Sequence, residues 1–535
     1  MAPIRGGAHM RAMILAFGLS FVPAAAMAAS YDVVDKDIAT LGADMAAGRV
    51  DAVGLVEAYQ ARIAAIDPLL HSVIALNPDA LAQARALDAE RKAGHLRGPL
   101  HGIPILVKDN IETLDAMPTT AGSLALAGNV THRDAPVIAR LRAAGAIILG
   151  KTNLSEWANI RSTHSISGWS AIGGWTRNPY VLDRSTCGSS AGTGAAIAAS
   201  LAAAGLGTET NGSLVCPGAF NSLVSIKPTV GLVSRTHIVP ISHTQDTAGP
   251  MTRSVADTAL LLSVMAGSDP LDSATAPADV HRVNYAAQGG GSLKGARLGL
   301  ILPPAEQASP GIEAVMRHAL AILRQEGAEI VEIRGFLRPV AASDAESTVL
   351  KFELKHDMAA YLQSLPGAAP KTLADLIAFN ARTPREMAIF DQDYFEMANE
   401  KGGLDDPAYI QAREELVTST RTLLDKTMRE NRLDALIRPT EDMVFRLDVV
   451  KGDNDGPGAS FLPAVSGYPH LTVPMGYAHD LPVGLSFIGP AWSEARLLAL
   501  GANFEHAAAA RKPPGFLPSL EAKPDVAAAL APLAR

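Results

Sequence analysis

Lys108, Ser189 and Ser213 are the residues of this chain whose types and surroundings best suit nucleophilic chemistry. Ser189 lies in the glycine-rich run Cys187-Gly-Ser-Ser-Ala-Gly-Thr-Gly, and Ser213 ends the run Gly207-Thr-Glu-Thr-Asn-Gly-Ser. Lys108 follows an apolar run, so we expect it at the exit of a buried strand, where desolvation would lower its pKa. A neutral lysine and two serines could together supply a base, a proton relay and a nucleophile.

The turn Asn211-Gly-Ser could bring consecutive backbone N–H groups to one point, because Gly212 can adopt backbone angles that other residues avoid. Converging donors of this kind stabilise the negative charge that develops on a carbonyl oxygen under attack. The turn alone does not establish such a site, since Asn-Gly is also common in ordinary turns.

Two nearby pattern matches are weaker on physical grounds. Gly145-Ala-Ile-Ile-Leu-Gly-Lys151-Thr has the spacing of a phosphate-binding P-loop, but its variable residues favour a strand over a loop, so we predict no nucleotide site there. Gly188-Ser-Ser190-Ala-Gly has the spacing of a nucleophile elbow, but the polar residues 182–187 make a poor preceding strand. An esterase centred on Ser190 is therefore an alternative to the main hypothesis.

No metal site and no organic cofactor are predicted. The sequence lacks the histidine and cysteine spacings typical of zinc sites. Four histidines near the motifs are interpreted as structural: His101, His164, His237 and His243.

Composition limits the classes of protein to which the chain can belong. The 535 residues are 48% hydrophobic and 19% charged, which predicts a large folded core. A net charge of −8 and the lack of a basic run argue against a nucleic-acid partner. The two cysteines, Cys187 and Cys216, could pair in an exported protein, but they show no spacing of a disulfide framework. We therefore favour two free, buried thiols.

Residues 1–28 are typical of a signal peptide. Arg5 and Arg11 precede an apolar run, and Ala26-Met-Ala provides a small-residue cleavage site. This pattern predicts a periplasmic or secreted protein that has no membrane span after the leader is removed. A buried first helix or a retained anchor is the alternative interpretation.

Helical and strand patterns alternate along most of the chain, which predicts an α/β fold in a single large domain, with a mixed β-sheet core flanked by helices. A glycine-rich linker is predicted at 288–292 and a mostly helical region, which we expect to wall the substrate pocket, at 345–430. The predicted helices cover 53–66, 80–92, 135–144, 191–204, 254–265, 311–326 and 493–509. Asp67-Pro68 is expected to end the first of them. The predicted strands cover 104–107, 146–149, 297–302, 329–333, 435–437 and 482–488.

Several motifs and their order along the chain resemble the amidase signature family, and the resemblance spans roughly residues 31–510. It implies an N-terminal helical part at 29–95, an amidase signature core at 96–270 and a C-terminal α/β part at 271–535 that completes the same domain and its pocket. The motifs include Gly102-Ile-Pro-Ile-Leu-Val-Lys108-Asp-Asn, Gly150-Lys-Thr-Asn153, both serine-bearing runs, Lys227-Pro-Thr229 and Pro463-Ala-Val-Ser-Gly-Tyr-Pro469.

The resemblance implies a catalytic triad in which Lys108 is the base, Ser189 is a relay preceded by a cis peptide bond, and Ser213 is the nucleophile. It implies that amide C–N bonds are hydrolysed through an acyl-enzyme without a cofactor. It further implies an oxyanion hole formed by the backbone N–H groups of Thr210, Asn211, Gly212 and Ser213.

The chain departs from the usual family pattern at several positions. Asn211 replaces a glycine, Glu209 a frequent aspartate and Val215 a frequent arginine, and the last change removes one route to binding an acidic substrate. The overall pattern looks most similar to peptide-amidase members, which implies a peptide or small-molecule amide substrate, such as a peptide C-terminal amide or an aryl amide. The alternatives are hydrolysis of esters or carbamates, and a non-catalytic role like that of an amidotransferase component. We expect the protein to be a monomer or a homodimer.

Overall fold

The computed structural model describes residues 31–288, 292–301, 309–334, 342–367, 369–454 and 456–532. The predicted signal peptide and most of the predicted linker lie outside the described residues. Among the helices described, none is long and apolar enough to span a membrane.

The described strands are β1 (Val73–Leu76), β2 (Pro104–Lys108), β3 (Ile147–Thr152), β4 (Trp169–Ser170), β5 (Gly174–Trp175), β6 (Ala204–Glu209), β7 (Val224–Lys227), β8 (Thr247–Thr252), β9 (Arg297–Leu300), β10 (Glu329–Glu332), β11 (Ala435–Pro439), β12 (His470–Ala478) and β13 (Leu481–Ile488). The described helices are α1 (Ile38–Ala46), α2 (Ala52–Leu70), α3 (Ala80–Lys92), α4 (Pro136–Ala143), α5 (Ala191–Ala198), α6 (Val215–Phe220), α7 (Val255–Met265), α8 (Ala278–His281), α9 (Pro310–Gln325), α10 (Ala342–Ser364), α11 (Leu373–Ala381), α12 (Asp393–Asn399), α13 (Pro407–Asn431), α14 (Phe461–Ser466), α15 (Glu494–Ala508) and α16 (Pro524–Leu530).

One mixed sheet forms the centre of the described chain. Its eleven strands lie in the order β1-β3-β2-β6-β8-β7-β12-β13-β11-β9-β10. Strands β1–β3 and β6–β8 make one side of this sheet and strands β9–β13 make the other, and the two sides meet where β7 pairs antiparallel with β12; β4 and β5 pair separately. Helices α6, α7, α9 and α15 pack against the sheet. The predicted α/β fold, with a mixed sheet in a single large domain, is confirmed.

Strands β2, β3 and β6 are buried along their whole length and run parallel to one another. The carboxyl ends of parallel strands meet at the same edge of a sheet, and that edge is where α/β proteins commonly carry their functional residues. The fold therefore brings Lys108, the last residue of β2, next to Thr208 and Glu209 at the end of β6.

The predicted helix over 191–204 is too long. Helix α5 ends at Ala198, Ser200 adopts a left-handed backbone with φ 57°, and the chain enters β6 at Ala204. The guanidinium of Arg253 donates to the carbonyl oxygens of Ile197 at 3.1 Å and Ala202 at 3.0 Å, which satisfies acceptors at the helix end. A fully buried run of alanine and glycine has no polar face, so its sequence pattern does not separate helix from strand.

Helix α2 continues past the predicted stop at Asp67-Pro68 and ends at Leu70. The proline lies in the last turn of the helix, and His71 follows in a left-handed conformation with φ 54°. The Asp67 carboxylate then accepts hydrogen bonds from the backbone N–H groups of Ser72 at 2.9 Å and Val73 at 3.1 Å. These bonds satisfy donors just beyond the helix, so the chain turns directly into β1.

Cys187 and Cys216 form a disulfide, with Cα atoms 5.9 Å apart, so the expectation of two free thiols is wrong. Cys216 lies in α6, and Cys187 lies in the loop that leads to Ser189. The pairing results from the packing of this loop against α6, which the spacing of the two cysteines along the chain does not reveal.

Candidate active site

Lys108 is fully buried at the end of β2 and lies at the centre of the candidate site. Its Nζ donates hydrogen bonds to Ser189 Oγ at 2.7 Å and to the hydroxyl and carbonyl oxygens of Thr208 at 2.9 and 3.3 Å. Burial lowers the pKa of Lys108 to about 7, while the carboxylates of Asp246 and Glu209 act in the opposite direction. A substantial fraction of Lys108 is therefore neutral near pH 7 and can accept a proton.

Ser189 follows a cis peptide bond from Gly188, as the family resemblance implies. The Ser189 carbonyl accepts a hydrogen bond from the backbone N–H of Ser155 at 3.0 Å, and Ser155 Oγ accepts one from the N–H of Gly168 at 2.9 Å. A Cβ atom at position 188 would lie only 2.1 Å from Ser155 Oγ. A Cβ atom at position 188 therefore fits only if the Ser155 hydroxyl or the chain at Ser189 moves.

Ser213 lies in the short loop between β6 and α6, and the side chain of Glu209 accepts hydrogen bonds from the backbone that follows Ser213. Oε2 of Glu209 accepts hydrogen bonds from the backbone N–H groups of Leu214 at 2.8 Å and Val215 at 3.1 Å. Gly212, with φ 85°, supplies the left-handed residue that turns the chain before Ser213. Two charge-assisted bonds thus fix the backbone on the carboxyl side of Ser213.

Glu209 has a buried partner of opposite charge in Lys227. Burial raises the pKa of the Glu209 carboxyl, and the ammonium of Lys227 acts against that rise. Burial lowers the pKa of Lys227 to about 8, against the attraction of Glu209 and Glu494. Each group stabilises the charged form of the other in a region without solvent.

The side chains of Thr210 and Asn211 anchor the amino side of the same loop. Thr210 Oγ1 donates to Asp246 at 2.6 Å, and Asn211 Nδ2 donates to Glu346 Oε1 at 2.8 Å. Asn211 Oδ1 accepts from Ser460 Oγ at 2.8 Å. The left-handed backbone falls on Gly212 and not on Asn211, so replacing the usual glycine by asparagine causes no strain there.

A cavity of about 700 Å³ opens over these loops. The predicted residues Ser189, Thr210, Asn211, Gly212 and Ser213 all line it, and Lys108 lies behind Ser189. The predicted helical region 345–430 contributes to its wall, as expected. Residues outside the predicted set also line it, among them Asn159, Ile160, Leu436, Arg438, Phe445, Asp453 and Ser460.

The two weaker pattern matches, at Ser190 and Lys151, lie in buried parts of the structure. Ser190 is fully buried at the start of α5, and its Oγ donates to the Thr208 carbonyl at 3.1 Å. Lys151 lies within strand β3, where its Nζ donates to Thr119 Oγ1 at 2.8 Å and lies 3.8 Å from the Asp109 carboxylate. The segment that matches a P-loop is therefore a buried strand and offers no phosphate-binding loop.

Among the described residues, two groups of side chains outside this cavity have geometry that could hold a metal ion: His164 with Asp391 and Asp393, and His243 with Glu353 and Asp357. In the second group, the Glu353 carboxylate already accepts hydrogen bonds from Thr244 Oγ1 at 2.9 Å and Tyr409 at 2.7 Å. The prediction that the chain uses no metal and no cofactor stays a prediction.

The chain is similar to amidases both in its sequence and in its fold. The chain matches the family model described as "Amidase" over residues 54–498. Among solved structures, the native peptide amidase from Stenotrophomonas maltophilia is 47% identical with a TM-score of 0.84, over 90% of this chain and 99% of that one.

Curated relatives extend over similar lengths. A protein of Arabidopsis thaliana named "Probable amidase" is 39% identical over 481 residues, which cover 86% of this chain and 88% of that protein. One component of the glutamyl-tRNA(Gln) amidotransferase of Salinispora arenicola is 34% identical, over 91% of this chain and all of that protein.

Proposed function

Because this chain belongs to the amidase signature family and is an amide-hydrolysing enzyme, we propose that Ser213, Ser189 and Lys108 are its catalytic triad. The observation that carries the proposal is the 2.7 Å hydrogen bond between Lys108 Nζ and Ser189 Oγ in the wall of the cavity that Ser213 also lines. Burial keeps a large fraction of that lysine neutral at physiological pH, as a base requires.

In the proposed mechanism, neutral Lys108 accepts the proton of Ser189, and Ser189 accepts the proton of Ser213. Ser213 Oγ forms a bond to the amide carbonyl carbon, and the carbonyl oxygen gains negative charge. The C–N bond then breaks, and the relay returns the proton to the leaving amine. Water attacks the resulting acyl-enzyme by the same route and releases the acid.

We propose that the backbone N–H groups of Thr210, Asn211, Gly212 and Ser213 stabilise the oxyanion. The supporting observations are that all four residues line the cavity and that hydrogen bonds fix the loop on both sides of Ser213. Donors held in place before the reaction lower the barrier because they need no reorganisation when charge develops.

The substrate class that we favour is a peptide with a C-terminal amide. The 47% identity to a peptide amidase supports it, and so does a cavity large enough for a peptide end. The 34% identity to an amidotransferase component is lower, and a component of that kind would be expected to act with partner chains. Aryl amides, other small amides, esters and carbamates are the competing substrates.

The experiment is a panel of peptide amides, aryl amides, esters and carbamates, measured with the wild type and three variants. We expect Ser213→Ala and Lys108→Met to lower kcat/KM on amides by about 10³-fold or more. Ser190→Ala, which removes a hydroxyl that serves only the backbone of Thr208, should lower it less than about tenfold. Wild-type activity in Ser213→Ala would refute the proposed triad, and loss of activity in Ser190→Ala alone would support the Ser190-centred esterase.

We also propose that residues 1–28 direct export. The disulfide between Cys187 and Cys216 supports this, because such bonds persist in oxidising compartments. When the full chain is expressed in a Gram-negative host, we expect the periplasmic protein to begin near Ala29, as measured by intact mass. A full-length protein retained in the cytoplasm would contradict the proposal.

A further inference from the structure

A second cavity, of about 510 Å³, adjoins the one that contains Ser213. Asn159 and Asp453 line both cavities, so they form the boundary between the inner cavity and this outer one. The outer cavity is otherwise lined by three separate stretches of chain, 163–166, 389–391 and 449–452. A ligand larger than the inner cavity could therefore continue past Asn159 into the outer one.

The inner side of this boundary is rigidly built. Trp157, Ala158 and Asn159 adopt three consecutive left-handed conformations, with φ 50°, 53° and 74°. Such backbone persists only where the surroundings fix it. The surroundings here are an ion cluster without solvent, in which the guanidinium of Arg161 lies 3.0 Å from Glu156 and 3.4 Å from Glu386.

The boundary also offers hydrogen-bonding groups in fixed positions. Oδ1 of Asn159 is buried and accepts no hydrogen bond within the described part of the chain. The carboxylate of Asp453, the other residue that lines both cavities, accepts bonds from the backbone N–H of Ser167 at 3.1 and 3.0 Å, which hold it in place. A buried acceptor costs free energy until a donor satisfies it, and the N–H of a peptide crossing the boundary is such a donor.

The outer cavity combines a carboxylate with apolar groups at its rim. Asp391 accepts a hydrogen bond from Ser162 Oγ, lies 3.9 Å from His164 Nδ1, and 56% of its side chain is exposed; Lys451 lines the same cavity. Val449 and Val450, which are 57% and 89% exposed, add two adjacent apolar side chains to the lining of this cavity. A carboxylate suits an ammonium group, and the valines suit aliphatic or aromatic side chains.

We propose that the outer cavity is a subsite for the N-terminal residues of a peptide amide whose C-terminal amide lies at Ser213. Residues near the amide occupy the inner cavity, the peptide backbone passes between Asn159 and Asp453, and the free α-ammonium group pairs with the carboxylate of Asp391. This inference rests on the proposed function, since it assigns a peptide amide to the inner cavity.

The test compares peptide amides of two, four and six residues that share the same C-terminal residue, each with a free or an acetylated N-terminus. We expect kcat/KM to rise with length until the N-terminus reaches the outer cavity. At that length, acetylation should lower kcat/KM by roughly two- to fivefold, the range for a partly exposed ion pair. Asp391→Asn should remove this sensitivity to acetylation, and Asp391→Lys should reverse it.

Two further variants test the positions of the groups. Asn159→Gly keeps a residue that tolerates the left-handed backbone and removes the acceptor, so it should reduce the preference for long over short amides. Asp405→Asn changes an exposed carboxylate that lines neither cavity, and it should leave both the length preference and the effect of acetylation as in the wild type.

The outcomes separate the two proposals. If short and long amides are hydrolysed with equal kcat/KM, or if acetylation has the same effect in Asp391→Asn as in the wild type, the outer subsite is refuted while amide hydrolysis at Ser213 stands. If no peptide amide of any length is hydrolysed, both the subsite and the preferred substrate class are refuted.

Discussion

Nζ of Lys108 lies 2.7 Å from Oγ of Ser189, and this hydrogen bond joins the end of a central strand to a loop 81 residues further along the chain. Neither residue has access to solvent. The proton transfer that we propose between them would depend on burial of the lysine, which the sheet provides. It would also depend on the position of the serine, which the packing of Ser155 against Gly188 fixes.

The activity should depend on pH through the protonation of Lys108. Its pKa is lowered to about 7, and only the neutral form can accept a proton, so kcat/KM should rise about tenfold per pH unit below 7 and level off above it. The facing carboxylate of Asp246, whose own pKa burial raises to about 6, holds the pKa of Lys108 up. Asp246→Asn should therefore move the acidic limb of the pH–rate profile to lower pH, and a profile that is flat between pH 5.5 and 8 would contradict the role of Lys108.

Gly188→Ala should remove most of the activity. The new Cβ would lie 2.1 Å from Ser155 Oγ, so either Ser155 or Ser189 must move. A displacement of about 1 Å in a catalytic group can lower the rate about 10²-fold, and we expect a loss of at least that size in kcat/KM.

The matched control for this substitution is Gly42→Ala. Nothing lies within 4 Å of a Cβ built at Gly42, which is inside helix α1. It should leave kcat/KM unchanged and raise the free energy of unfolding by about 0.5–1 kcal/mol, because alanine favours helix over glycine. Equal activity losses in the two variants would show that the contact with Ser155 is unimportant.

Reducing the disulfide should destabilise the protein and its site together. The bond between Cys187 and Cys216 closes a loop with a sequence separation of 29, for which the chain-entropy model gives about 3–4 kcal/mol. We expect the double variant Cys187→Ser/Cys216→Ser to unfold at lower urea concentration and to hydrolyse amides more slowly. Dithiothreitol should shift the wild type in the same way and leave the variant unchanged; an unshifted wild type would exclude a stabilising disulfide.

Glu209→Gln should lower kcat more than it changes KM. The neutral amide keeps an oxygen acceptor for Leu214 and Val215 but weakens both bonds, and it removes the buried counter-charge of Lys227. We expect a loss of about 1–2 kcal/mol in the free energy of unfolding.

Glu209→Ala removes the acceptor as well as the charge, so it should cost more than Glu209→Gln, about 1–3 kcal/mol for each backbone donor left unsatisfied at Leu214 and Val215. Steady-state kinetics with urea unfolding would check both variants. A change confined to KM in Glu209→Gln would show that this loop serves ground-state binding alone.

The residues near Ser213 could be predicted from the sequence because each has a local signal. Lys108 terminates an apolar strand, and glycine-rich turns mark the two serine loops, so residue types alone indicate the chemistry. In the structure Ser189 and Ser213 line one cavity and Lys108 lies behind Ser189, while their catalytic roles stay a prediction.

The residues that complete the cavity could not be predicted in the same way. Asn159, Glu346 and Ser460 belong to no motif, and they meet Asn211 or the cavity only through packing of distant segments. Strands β8 and β12 are also absent from the predicted set, because buried strands that contain glycine, proline and threonine lack a clear period of two. Strand β7 is absent as well, because four residues are too short a run to show a period. The disulfide between Cys187 and Cys216 could not be predicted either, since it depends on a tertiary contact between a loop and helix α6.

The pairing of β7 with β12 has a consequence for how the chain can be divided. The strands that carry Lys108 and the Ser213 loop all lie on one side of this pairing, within the first 252 residues. A fragment ending there would nevertheless present the unpaired backbone of β7 to solvent, and exposed strand edges promote aggregation. The segment that carries Lys108, Ser189 and Ser213 is therefore not expected to fold on its own. The second half of the chain covers the exposed edge of its sheet and also forms a wall of its cavity.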